Sequence, residues 1–230
     1  MKKAILHFFC GWVCSFWLLP ANATLIGFPT CTGANACQIT TTPPNPVTSN
    51  PNDGILLAWD EIQNFTLTQD LHVDRVFDET ASFVEADGNG FIIKMGTVVS
   101  SHYLQWDPGN GSDRRVNGTI ELDSQIFAFI TGTQELFDSD FLGLPGLDYN
   151  DFGLRGLEGG DTTVFNGNSA DISWSAGSPG DWTRLITAFS PGGENGGGNT
   201  VPEPSTVVLL GLGILGIIGF RFGKKRKRVA

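Results

Sequence analysis

Basic side chains are scarce in this sequence. Its 230 residues include 14 Lys and Arg against 24 Asp and Glu, for a formal net charge of −10. Nucleic-acid partners require basic patches to meet the phosphates, so that class of partner is excluded. Four cysteines and three histidines leave little for a His/Cys metal centre. Helical periodicity is also missing from the middle of the chain, where apolar runs follow one another across short polar turns. An α/β fold needs helices between its strands and is excluded on that ground.

What is present is uneven. Lys2 and Lys3 precede an apolar run from Ala4 to Leu19, which ends in Pro20-Ala21-Asn22-Ala23. A basic start, an apolar stretch and a small-x-small exit make a secretory signal peptide over residues 1–23. Ala21 and Ala23 occupy the two small positions read by signal peptidase. The implied partners are the Sec translocon and that peptidase.

A second apolar run lies at the other end, from Val207 to Phe220, extended to Phe222 as a span and followed by Lys224, Lys225, Arg226, Lys227 and Arg228. Sixteen residues of helix span about 24 Å against a hydrocarbon core of about 30 Å. Snorkelling basic side chains and local thinning accommodate such a shortfall. The basic cluster holds the C-terminus in the cytoplasm and makes the inner membrane a partner. Just before the span stand Pro202, Glu203 and Pro204. The prolines keep Glu203 extended and outside the helix that follows.

A Pro-Glu-Pro motif, a short apolar span and a basic C-terminal cluster, in that order, resemble the PEP-CTERM sorting signal of Gram-negative bacteria, here over residues 201–230. The resemblance implies recognition by an exosortase, which would process the chain near Pro202–Pro204 and pass the ectodomain to the cell surface. It also implies transient anchoring in the inner membrane and a setting of extracellular polysaccharide. A plain single-pass anchor is the competing reading of the same residues.

Between these ends, residues 190–200 (Ser-Pro-Gly-Gly-Glu-Asn-Gly-Gly-Gly-Asn-Thr) form a Gly-rich linker, and residues 24–53 a Pro/Thr-rich arm. Cys31 and Cys37 are the cysteines that remain after the signal peptide, and in an oxidising compartment they pair as a local staple of that arm. The folded unit is then residues 54–189. Its pattern has a period of two: Phe65, Leu67, Leu71 and Val73 alternate with polar residues over 65–73, and Val116, Ile120 and Leu122 do the same over 116–122. Dense runs at 55–59, 91–99, 103–106, 126–130, 172–174 and 185–189 predict further strands, and 134–142 predicts a short helix. Short strands separated by Gly/Asn/Asp turns predict an all-β, antiparallel sandwich or jelly-roll-like domain.

The order ILLAWDEIQN (55–64), SSHYLQWDPGN (100–110), SDFLG (139–143), RGLE (155–158) and SPGDWTRLITAFSP (178–191) is also similar to a recurring ectodomain of PEP-CTERM proteins, one with no assigned activity.

Candidate chemistry is thin. His72 falls on a polar strand face, where a solvated histidine is expected. His102 alternates with Leu104 and Trp106 and is expected to point inward as a hydrogen-bonded structural group. No catalytic residue is assigned. Asp107, Asn110 and Asp113 place hard oxygens on a turn and form a weak calcium candidate, as do Asp148, Asn150 and Asp151. Asp and Asn are equally good turn residues without an ion. Trp59, Trp106, Trp174 and Trp182 could stack on sugar rings, and Trp182, after a Gly-rich turn, is the best placed for exposure. The expected role is a non-enzymatic structural or adhesive one at the surface or in the matrix. The alternative is a carbohydrate-active hydrolase or a glycan-binding module acting on extracellular polysaccharide. Once both ends are set aside, 24 acids face only six bases, and the exported part carries a net −18.

Overall fold

The computed structural model describes residues 25–47, 53–109, 114–149, 155–177 and 180–189. Fourteen strands run in the order β1 (Leu25–Thr32), β2 (Ala36–Ile39), β3 (Ile55–Asp60), β4 (Phe65–Thr66), β5 (Leu71–Val73), β6 (Arg75–Val76), β7 (Val84–Asp87), β8 (Gly90–Ile93), β9 (Val98–Trp106), β10 (Arg114–Leu122), β11 (Ile126–Ile130), β12 (Thr162–Asn166), β13 (Ser169–Ala176) and β14 (Asp181–Thr187). Between β11 and β12 lie the short helix α1 (Thr133–Asp138) and a 3-10 turn at Asp140–Leu142, where the sequence predicts its helix.

Three layers result. A four-stranded antiparallel sheet has the order β1-β10-β13-β12. Against it packs a larger sheet ordered β2-β3-β9-β14-β11-β6, with β4 beside the start of β9. The third layer is a small sheet, β5-β8-β7, together with α1 and the 3-10 turn. Leu56, Ala58, Leu104, Trp106, Phe129 and Leu185 face the four-stranded sheet and meet Val116, Ile120, Ile172 and Trp174. On the opposite face Trp59, Tyr103, Ala128, Trp182 and Ile186 pack beneath the third layer. The middle strand β14 is therefore buried along its whole length. That explains its weak alternation in sequence, since a strand covered on both faces has no wet side to mark with polar residues.

The all-β sandwich expected from the sequence is the fold observed. Four details differ. The larger sheet is mixed, because β2 pairs parallel to β3, Ala36 with Ile55 through Ile39 with Ala58. The run 65–73 is two strands in two sheets: β4 pairs with β9, β5 with β8. Leu67, Leu71 and Val73 are buried as their alternation predicts, but Leu67 bonds backbone-to-backbone with Gly96 and Thr97 and turns the chain between them. The run 91–99 likewise splits at the turn through Gly96.

The third difference concerns the arm. Within 24–53, β1 is an edge strand of one sheet and β2 of the other, and Leu25 is buried between them. The expected Cys31–Cys37 disulfide is present, with Cα atoms 6.0 Å apart, and it joins the two sheets rather than stapling a loose arm. Val47 reaches the core beneath the third layer and donates its N–H to Asp148 O at 2.7 Å. These residues are part of the folded unit. The fourth is Trp182, expected to be exposed but fully buried on β14.

Among the described residues no helix is long and apolar enough to cross a membrane. The signal peptide with Ala21 and Ala23, the linker, Pro202–Pro204, the span 207–222 and the basic cluster 224–228 lie outside the described residues.

Candidate functional site

Apolar runs interrupted by a single charge need an internal partner, because an isolated buried charge costs several kcal/mol. Two such interruptions, Glu61 just after β3 and Arg184 in β14, meet beneath the third layer. Arg184 Nε donates to Glu61 Oε2 at 2.6 Å and Nη2 to Glu61 Oε1 at 2.9 Å, the planar fork matching the carboxylate. Its Nη1 donates to Ser139 Oγ at 2.6 Å and to Leu136 O at 3.2 Å. Ser101 Oγ adds a 2.5 Å bond to Glu61 Oε2. Asp140, from the 3-10 turn, bridges to a second arginine: it accepts from Arg184 Nη2 at 3.2 Å and from both Arg155 terminal nitrogens at 2.7 Å.

Both guanidinium groups are sealed from solvent and lie against aromatic rings, Arg155 4.8 Å from the Phe137 centroid and Arg184 5.1 Å from that of Tyr103. Two carboxylates balance two guanidiniums. Burial works against the charge on Arg184, but Glu61 outweighs it and holds the guanidinium more firmly protonated than usual. Burial pushes the Tyr103 hydroxyl up to about 12, although both arginines pull it down. Burial and the neighbouring Glu61 push Tyr149 up as well. With its donors spent, this network is a clamp between layers. Its members Glu61, Tyr103, Ser139, Asp140, Arg155 and Arg184 come from five separate segments of the sequence.

His102 is the structural group expected of it. It is fully buried on β9, with Nδ1 2.7 Å from Asp60 Oδ1 and Nε2 3.0 Å from Thr187 Oγ1. His72 sits 3.0 Å from Asp87 at the half-exposed surface. A cavity of about 200 Å³ beside that pair is lined also by Asp74 and Glu135. The Asp74 carboxylate is committed to fold, accepting the Thr131 and Gly132 N–H groups at 2.5 and 3.0 Å just before α1. All four ectodomain tryptophans, Trp59, Trp106, Trp174 and Trp182, are fully buried, so none offers a sugar-stacking platform. Of the turn residues considered for calcium, Asp107 accepts the Gly109 N–H at 2.9 Å. Asp148 N donates to Asn45 Oδ1 at 3.1 Å. Asn110, Asp113, Asn150 and Asp151 lie outside the described residues.

An acidic group that the sequence reading did not single out lies at one end of the sandwich. Glu158, Asp161 and Asp181 each bring a carboxylate oxygen within 4.8 Å of the others. Glu158 and Asp161 share a turn, in which Asp161 N donates to Glu158 O at 3.1 Å. Asp161 is oriented by two backbone donors, Ser175 N at 2.7 Å and Glu158 N at 3.1 Å. Asp181 opens β14 behind Gly180, whose positive φ of 103° suits glycine and whose position leaves no room for a Cβ beside Trp106 O. Asp181 is fully buried and neither of its oxygens has a hydrogen-bond partner. Burial, then Asp161 and Glu158, push its carboxyl up to about 8. The signal that could have found this group is the charge at the head of an apolar run, Asp181 before Trp182, together with Arg155–Glu158 ahead of a strand.

Comparison with known families finds the PEP-CTERM protein-sorting motif at residues 200–227. It covers Pro202–Pro204 and the basic cluster as far as Lys227, and supports the reading of the chain as an exosortase substrate. No match was found among curated proteins or among solved structures.

Proposed function

We propose, from the sorting motif at residues 200–227, that this chain is delivered through an exosortase to the cell surface and that its ectodomain serves there as a structural or adhesive element. Export through the motif is the coarse part of this reading. The finer part is supported by how the domain spends its charged groups. Its two arginines are sealed from solvent and balanced by two carboxylates, which suits a rigid module, and its tryptophans are committed to the core. The outer surface keeps most of a net −18 between residues 24 and 203, which favours solubility and, through bridging divalent ions, association with anionic polymer.

Expression of Glu203→Ala in the native host tests the sorting step. Loss of the processed surface form, with accumulation of full-length chain in the inner membrane, is the expected result, and normal release would overturn it. The second reading, a hydrolase, rests on the carboxylates around the cavity at Asp74, Asp87 and Glu135. Incubating the purified chain with the host's own polysaccharide separates the two: binding without reducing-sugar release supports the first, and sugar release establishes the second.

A further inference from the structure

We propose that Glu158, Asp161 and Asp181 form a binding site for a hard divalent cation at the end of the sandwich where β13 and β14 meet. The first observation is the gathering of three carboxylate oxygens within 4.8 Å. The second, independent one is Asp181 itself, which is fully buried, aimed into the group and without any hydrogen-bond partner for either oxygen. Buried polar atoms are almost always satisfied, so a buried carboxylate with two open oxygens points to a missing partner.

Among the described residues no ion pair reaches any of the three acids, and the ectodomain's bases are engaged elsewhere. Arg155 and Arg184 serve Asp140 and Glu61, and Lys94 pairs with Glu85. Arg75, Arg114 and Arg115 donate to Thr163 O, Gly33 O and Ser173 Oγ.

The size fits calcium. Ca–O distances of about 2.3–2.6 Å place opposite ligands of one ion about 4.6–5.2 Å apart, so oxygens within 4.8 Å of one another stand at the spacing of ligands shared by one ion. Asp161 is held in place by two N–H donors and keeps lone pairs for the ion. Magnesium demands a tighter octahedron and retains more of its water. A bound ion would join the 158–161 turn, packed on β13, to the first residue of β14, and so tie one sheet to the other. The turn at Asp107, considered for calcium on sequence grounds, lies against Gly180 at this same end.

The test uses the full chain purified in detergent and stripped with EDTA. Calcium at millimolar concentration is expected to raise the thermal midpoint saturably, by several degrees. Terbium is expected to show luminescence sensitised by the nearby tryptophans and displaced by calcium. Asp181→Asn should fold, as judged by circular dichroism, yet show neither response. Glu158→Gln should weaken calcium binding at least tenfold. A rise with magnesium and not with calcium supports the site and assigns it to the smaller ion. A wild-type midpoint identical in EDTA and in both cations overturns the proposal, and so does an Asp181→Asn chain that responds like the wild type.

Discussion

Strand β14 carries two buried ionisable side chains three residues apart, on opposite faces of the same sheet, and their surroundings could hardly differ more. Arg184 points under the third layer into a network where every charge has its opposite. Asp181 points into the sandwich end and meets two more acids. The first arrangement is complete within the protein. The second is complete only if something from solution, a proton or a cation, joins it. Burial alone does not make a group structural. What decides is whether the chain supplies the counter-charge.

The largest effect should come from breaking the complete side. Arg184→Met leaves Glu61 buried without its partner and should cost about 3–5 kcal/mol of unfolding free energy, measured by equilibrium denaturation. If Asp181→Asn costs as much, the two sites do not differ as described.

Next comes pH. The folded-state carboxyl of Asp181 titrates at about 8 against about 3.9 in the unfolded chain. The folded state therefore holds this proton more tightly, and its contribution is fully present below about pH 4. That contribution is lost as pH rises toward 8, on the order of 1 kcal/mol per pH unit at its steepest. Denaturation in EDTA across that window should show the decline, and Asp181→Asn should remove it. Saturating calcium should flatten the slope in the wild type.

Reducing the Cys31–Cys37 bond should cost about 2 kcal/mol, from the entropy of a short closed loop. It should leave both charged sites intact, because neither lies on β1 or β2. The smallest effect belongs to Glu158→Gln. An exposed acid replaced by its isostere should change stability in EDTA by about 0.5 kcal/mol or less. Its only large consequence should be in metal affinity.

Strands with one wet face were plain in the sequence. The alternation of Val116, Ile120 and Leu122 places β10 and its buried face correctly. β14 was legible only as a run, 185–189, because its polar members are inside and satisfied: Thr183 donates to Ile130 O, and Arg184 to Glu61. β1 and β2 were missed because a Pro/Thr-rich stretch reads as spacer, and because a parallel edge pair such as β2–β3 leaves no hairpin signal. The sorting signal was legible in full, being a linear motif. The acidic group was not. Asp181 stands twenty residues beyond Asp161, and only the pairing of β12 with β13 and of β14 with β9 brings their chain ends together. Spacing rules see ligands on one loop and are blind to those assembled from a turn and a distant strand.

The central place of β14 also dictates when this domain can mature. β14 is the last strand of the described chain, yet it fills the gap between β9 and β11. The chain is made from its N-terminus onward, so until β14 is available those two strands face each other across an empty slot. Their open edges are the kind that recruit stray strands. Only when the chain is complete to Thr187 can the sheet close. A domain whose last strand is also its central one is whole only at the very end, and a chain cut short of Thr187 would keep two open strand edges.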